Sequence, residues 1–273
     1  GRGGAELRMA PASKEAVTTP ASLLLATFFF AAATQPARGA VLAEHADYEA
    51  CLFSPDSCTV LSVPNLALTG TIPTEVGTFS LLTAFNLGSN RFMTGTLPTE
   101  LGKLTALTAL YLDLNSFAGF LPEELGELSL LRELYVFQTS LAGALPAGML
   151  GLTSLQVFHA YECNLSGSLP QALGTLSRLT DLRLNDNPLF AGTVPSQLGE
   201  LTALSVLLLS DTAISGALPT ELGALRACSV MLVAGASLSR RIPTEVGFLS
   251  ALGTFPLGLF CTLARWRSGD YEK

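Results

Sequence analysis

Charge is scarce in this 273-residue chain: 14% of its residues are Asp, Glu, Lys or Arg, whereas 49% are hydrophobic. Histidine is scarcer still, with only His45 and His159, which lie in separate regions. No Cys or His cluster has metal-ligand spacing, and no phosphate-binding loop is present, so no cofactor is implied. Clustered Lys and Arg are also missing. Net charge is −7, and without residues 1–39 it falls to −9, with 11 basic and 20 acidic residues. Such a surface argues against nucleic acid and serves mainly solubility.

What the chain has in abundance is one phrase repeated eight times, an apolar residue followed by proline at Pro73, Pro98, Pro122, Pro146, Pro170, Pro195, Pro219 and Pro243. The spacings are 24 or 25 residues throughout. A fixed period of this length marks a solenoid, in which no single unit can bury its apolar face alone. In the unit at 107–128, Leu110 and Leu112 alternate with Tyr111, as a half-buried strand requires. One strand per coil predicts parallel strands about 4.8 Å apart, so nine would span roughly 38 Å. Each coil buries about six apolar side chains, each worth roughly 1.5–3 kcal/mol. This accounts for a mean hydropathy of +0.45.

Two recurrent positions are backbone devices. Glycine at Gly70, Gly95, Gly119, Gly143, Gly167, Gly192 and Gly216 allows a positive φ or a close approach between coils. Proline then fixes φ and removes a donor that a tight return could not pair. Just after each strand, Asn90, Asn115 and Asn187 are placed to satisfy loop carbonyls and amides with a buried amide. Thr139 and Thr212 do part of this, Cys163 does so more weakly, and Ala236 cannot. The coil of Ala236 also has Arg240 in place of glycine, so regularity decays towards the C-terminus.

The unit Leu107-Thr-Ala-Leu110-Tyr-Leu112-Asp-Leu-Asn115 resembles the LxxLxLxxNxL of leucine-rich repeats, and the LxGxIPxxLGxL half is similar to their plant-specific subclass. The resemblance covers roughly residues 48–260. It implies an α/β fold, a right-handed solenoid with a parallel concave β-sheet and a mostly 3-10 or irregular convex side. Cys51 and Cys58 resemble the cysteine pair of the family's N-terminal cap, without its usual tryptophan, and imply a disulfide; two reduced cysteines are the alternative. Cys163 and Cys228 are expected free and buried, and Cys261 has no obvious partner.

The expected organisation is a leader and signal peptide at 1–39, a cap at 40–65, a solenoid of about eight 24-residue units at 66–260 and a tail at 261–273. Met9 reads as the true start, with Gly1–Arg8 a leader. Lys14, the apolar run 21–33 and Ala37-Arg-Gly39 read as a secretory signal, against an uncleaved anchor or a transit peptide. Location is therefore expected to be secreted or at the cell surface. The uncharged segment 248–264, followed by Arg265 and Arg267, reads as a last worn repeat, with a membrane anchor as the alternative.

Outward positions of the predicted strands form columns. One reads Asn86, Tyr111, Tyr135, His159, Arg183, Leu208, Leu232 and Pro256, and the next includes Asp113, Phe137 and Tyr161. With Glu133, these place a candidate ligand site at Tyr111, Asp113, Glu133, Tyr135, Phe137, His159, Tyr161 and Arg183. Aromatics rimmed by charge have the make-up of a binding hot spot. The same residues could equally be a ladder stabilising the sheet, at about 0.2–1 kcal/mol per pair. An acid–base group can be drawn from His159, Glu162 and Tyr161, but recurrent strand positions explain all three more simply. Val206, Leu208, Val230 and Leu232 continue the face as an apolar patch. Asn164-Leu-Ser166 is a glycosylation sequon.

The resemblance implies a non-catalytic recognition module that binds a protein, peptide or glycan, receptor-like, with membrane association or a co-receptor left open. An inhibitor of a secreted hydrolase, as in the polygalacturonase-inhibitor branch, and a self-associating surface protein are the alternatives.

Overall fold

A computed structural model describes residues 39–233, 237–238 and 243–249. Within these, the alternation read from the sequence becomes an eight-stranded parallel sheet. Its strands are Val60–Ser62, Ala84–Asn86, Ala109–Tyr111, Glu133–Tyr135, Val157–His159, Asp181–Arg183, Val206–Leu208 and Val230–Leu232, paired in chain order. The central residue of each, such as Phe85, Leu110, Phe158 or Leu182, is buried, and its two neighbours face outward. The position of a ninth strand lies outside the described residues. So do the signal segment, Ala236, Arg240, Cys261 and most of 248–264.

Each coil returns through a 3-10 turn whose N-cap is the repeat proline, as in Glu123–Glu127 after Pro122. The proline stays extended, at φ −64° and ψ 140° in that coil, and its carbonyl accepts the amide of Leu125 at 3.2 Å. One apolar residue of every turn is buried, among them Val76, Leu101, Leu125, Met149 and Leu173. The turns stack so closely that a Cβ on Gly126 would collide with the carbonyl oxygen of Gly148 in the next coil. The glycine before the proline phrase does adopt positive φ, for example 82° at Gly119.

A second parallel sheet, on the flank, joins Ala118–Phe120, Ser140–Gly143, Asn164–Gly167, Asn187–Gly192, Thr212–Gly216 and Ser237–Leu238, four of which end in that glycine. The two 25-residue spacings leave their mark here alone. The register slips between Asn187 and Ala191, and the first coils pair only as Thr69–Gly70 with Phe92–Met93. In each case the added residue pushes an apolar side chain outward, Leu189 and Phe92, both 62% exposed. The long sheet keeps its register across both insertions.

The asparagine column works as expected and also ties coils together. Asn90 and Asn187 are fully buried. The Nδ2 of Asn187 donates to Leu184 O in its own coil at 2.9 Å and to Ala160 O in the preceding coil at 2.8 Å, while its Oδ1 accepts the amide of Leu165 at 3.0 Å. Asn90 does the same with Leu87 O, Val63 O and the amides of Leu66 and Leu68. Asn115 departs from the pattern: its Oδ1 is buried without a partner among the described residues. In the elongated coil before it, the amide of Met93 is taken by Asn90 O instead. Thr139 and Thr212 reach the carbonyl three residues back, at 2.8 Å each; Thr139 also meets Cys163 Sγ of the next coil at 3.4 Å, and Cys163 reaches Val136 O at 3.3 Å.

The residue before this position has positive φ in six successive coils, from Ser89 to Asp211, although none of the six is glycine. Its amide extends the ladder, as Leu114 N to Phe137 O at 3.0 Å shows. That bond is what holds Leu114 in a conformation costing roughly 1–2 kcal/mol.

At the N-terminal end, helix Ala46–Phe53 covers the first coil. His45 caps it, accepting the Asp47 amide on Nδ1 at 3.3 Å, and Asp47 and Glu49 oppose the positive end of its dipole. Tyr48 packs edge-on against Phe79 at 5.4 Å, and Cys51 and Cys58 are joined in a disulfide. Val41 bridges Thr69, shielding the flank sheet's first edge. Cys163 and Cys228 are free and buried.

Two stability measurements follow from these contacts. Asn187→Ala orphans groups in two coils and should cost about 2–4 kcal/mol, whereas Thr212→Val should cost about 1 kcal/mol; urea unfolding of the two variants would show whether the gap exists. Replacing Cys51 and Cys58 with serine removes a short closed loop and should lower stability by about 2 kcal/mol, read as a lower melting temperature.

Candidate functional site

The eight residues of the candidate site occupy outward positions on four adjacent coils of the long sheet, and all are half-buried. The register brings Tyr111 beside Tyr135, and Tyr135 beside His159. Because parallel strands repeat every 4.8 Å or so, matched rings must touch. Tyr111 and Tyr135 are tilted with centroids 4.9 Å apart, and Tyr135 stacks on His159 at 4.7 Å and 14°. One column over, Phe137 stacks on Tyr161 at 4.5 Å and 8°. Cross-column distances of 6.2–6.4 Å join the two rows into one floor of five rings.

Charged groups frame that floor. The Tyr111 hydroxyl donates to Glu133 Oε2 at 2.5 Å, so burial and then the carboxylate hold its proton well above the ordinary phenol range. Burial likewise pushes Tyr135 up to about 12, helped by Glu133 and Asp181. Arg183 donates to Asp181 through Nε at 2.9 Å and through its terminal nitrogen at 2.8 Å. This fork is the strongest pair on the face. Burial alone would raise the Asp181 carboxyl, but His159 and Arg183 outweigh it and hold the group below its usual value. His159 Nε2 lies 3.2 Å from Asp181 Oδ2 without the alignment of a hydrogen bond. Asp113 is shifted the other way, upward, chiefly by burial.

The structure thus brings all eight together, and it gives weight to both expectations for them. The rings do form a ladder, and they also present an ordered aromatic surface with edges to solvent. Asp181, which is not among the eight residues named from the sequence, shares their face. The signal was available, since residues i and i+2 of a strand share a face and Asp181 precedes Arg183 by two. A second feature went unread, the hydroxyl column at the strand entrances. Thr83, Thr108, Thr180 and Ser205 each donate to a carbonyl of the preceding coil at 2.9 Å, which stiffens the site's edge.

Asn164 lies elsewhere, exposed on the flank sheet, with Leu165 buried beside it. The apolar patch of Val206, Leu208, Val230 and Leu232 adjoins Asp181 and Arg183 on the long sheet. It is mostly half-buried, and Val230 is the most open member at 40%. No group of three or more His, Cys, Asp or Glu among the described residues is placed to hold a metal ion. No helix among them is long and apolar enough to cross a membrane.

No protein-family model matches the chain, and no curated protein matches it. Solved structures do. The ectodomain of the plant membrane receptor kinase GASSHO1/SCHENGEN3 from Arabidopsis thaliana, in complex with Casparian strip integrity factor 2, is 30% identical with a TM-score of 0.69, over 71% of this chain and 23% of that one. PEPR1–AtPEP1 is 33% identical with a TM-score of 0.68, over 71% and 27%. The Arabidopsis receptor kinase HAESA, in complex with the peptide hormone IDA and the co-receptor SERK1, is 26% identical with a TM-score of 0.59, over 68% and 35%. The chain spans roughly a quarter to a third of the length of these structures. With its repeat, its stacked parallel sheets and these likenesses, the chain belongs to the plant-type leucine-rich-repeat proteins, built like a segment of a receptor ectodomain.

Proposed function

We propose that this chain is a non-catalytic, extracellular recognition module that binds a peptide or protein segment across the outward face of its long sheet. The observation that carries this reading is the five-ring floor framed by Glu133, Asp113 and the Asp181–Arg183 pair. Stacking and hydrogen bonds fix these side chains before any ligand arrives, so docking costs little ordering entropy. Related ectodomains hold partners of this class: the HAESA structure contains a peptide hormone and a co-receptor. In this reading residues 1–39 deliver the chain to the secretory route, 40–65 cap the solenoid and 66–260 form it.

The decisive comparison is a cross-linked pull-down from extracellular material with the full chain and with Tyr111→Ala, Tyr135→Ala and Tyr161→Ala combined, both folded by circular dichroism. The intact face should retain a peptide or protein that the variant loses, with affinity reduced roughly tenfold or more. Equal recovery would make the rings a structural ladder only. A retained glycan, or a second copy of the chain held through Val206 and Leu208, would point to the other partner classes. Secretion carries its own check: Asn164 should bear a glycan, seen as a mass decrease in Asn164→Gln from eukaryotic culture.

A further inference from the structure

The outward columns of the long sheet carry three carboxylates, Asp113, Glu133 and Asp181, and one guanidinium, Arg183. Two of the carboxylates are occupied, Glu133 by the Tyr111 hydroxyl and Asp181 by both edges of Arg183. The same fork consumes the face's one arginine, so it offers little to an anionic ligand. Asp113 is different. Among the described residues its carboxylate has no ion-pair or side-chain hydrogen-bond partner, although it is half-buried.

Its placement is specific. A Cβ on Gly88 would stand 3.1 Å and 3.3 Å from the two carboxylate oxygens, so Asp113 leans over the preceding coil. On its other side the next coil carries Phe137 in the same column. One face of that ring is covered by Tyr161, stacked at 4.5 Å. The opposite face turns towards the coil of Asp113, which brings no ring to meet it. A bare carboxylate and an open aromatic face therefore flank one slot. In the next column Leu114 and Gln138 stand beside the slot, and Glu162, Asp186 and Asp211 follow in the three later coils, with Gln138 donating to Glu162 at 2.7 Å.

We infer that the slot between Asp113 and the open face of Phe137 receives a lysine or arginine side chain, and that the ligand of this face is a basic peptide segment. The inference rests on the binding face proposed above and gives it a charge class. The carboxylate supplies the counter-charge, and the ring quadrupole attracts the same cation. The chain's net charge of −7 steers such a ligand towards it. Burial of Asp113, which raises its carboxyl, is relieved when a cation docks.

The test is calorimetric titration of the full chain with acetylated, amidated hexa-arginine and with hexa-citrulline of the same shape and no charge. Hexa-arginine should bind, and hexa-citrulline should bind roughly tenfold more weakly or not at all. Asp113→Asn, which is isosteric, and Phe137→Leu should each weaken hexa-arginine about three- to tenfold. Glu124→Gln, in a 3-10 turn away from the face, should leave it unchanged. No binding of hexa-arginine overturns the inference. Equal losses from Asp113→Asn and Glu124→Gln overturn it too, since the attraction would then be general acidity. If either occurs while the triple tyrosine variant still loses its natural partner, the binding face stands and only its charge class falls.

Discussion

A coil of this solenoid has nothing to close its backbone against except the next coil. Strand amides and carbonyls point along the solenoid, so each must be paired across a gap that only a neighbour can fill. The long sheet, the flank sheet and the asparagine column are three answers to that one demand. Asn187 shows the tightest form, bonding its own loop and the preceding one with a single buried amide. Where Thr212 replaces asparagine, its side chain bonds only within the coil, and the interface leans on leucine packing instead. Such a structure is a chain of nearest-neighbour contacts, and its weakest interface limits it.

The candidate site is a by-product of the same stacking. Rings at matched positions of parallel strands sit in contact whether or not a ligand exists, and each pair adds about 0.5–1.5 kcal/mol beyond its burial. Charge is distributed unevenly around this face. Arg183 and Asp181 satisfy each other, and Glu133 is engaged by a phenol, whereas among the described residues Asp113 has no ion-pair or side-chain hydrogen-bond partner.

Much of this was legible without coordinates. Period 2 within the strand and period 24 along the chain place every outward column, which is why the eight site residues could be named together. The asparagine and glycine roles were legible too, because each demands a residue type with one chemical property. The flank sheet was harder to see. Its strands are short, mostly include a glycine at positive φ and carry Ala, Ser and Thr, which have no strong alternation. The positive φ of Leu114 and Glu162 was hidden for a related reason: nothing in those side chains advertises it, and only the ladder bond of the amide imposes it.

The sequence by itself determined the repeat, the order of strands, the buried leucines and the make-up of each column, because a one-dimensional stack maps chain period directly onto space. Tertiary structure alone decided which groups on that face answer one another. The fork of Arg183 on Asp181, the turn of Asp113 over Gly88 and the pairing of Phe137 with Tyr161 rather than with a ring in the coil before depend on side-chain rotamers meeting across coils. The two 25-residue spacings were visible as numbers. That their extra residue would be expelled on the flank, leaving the long sheet in register, follows from which edge could bulge without breaking the core.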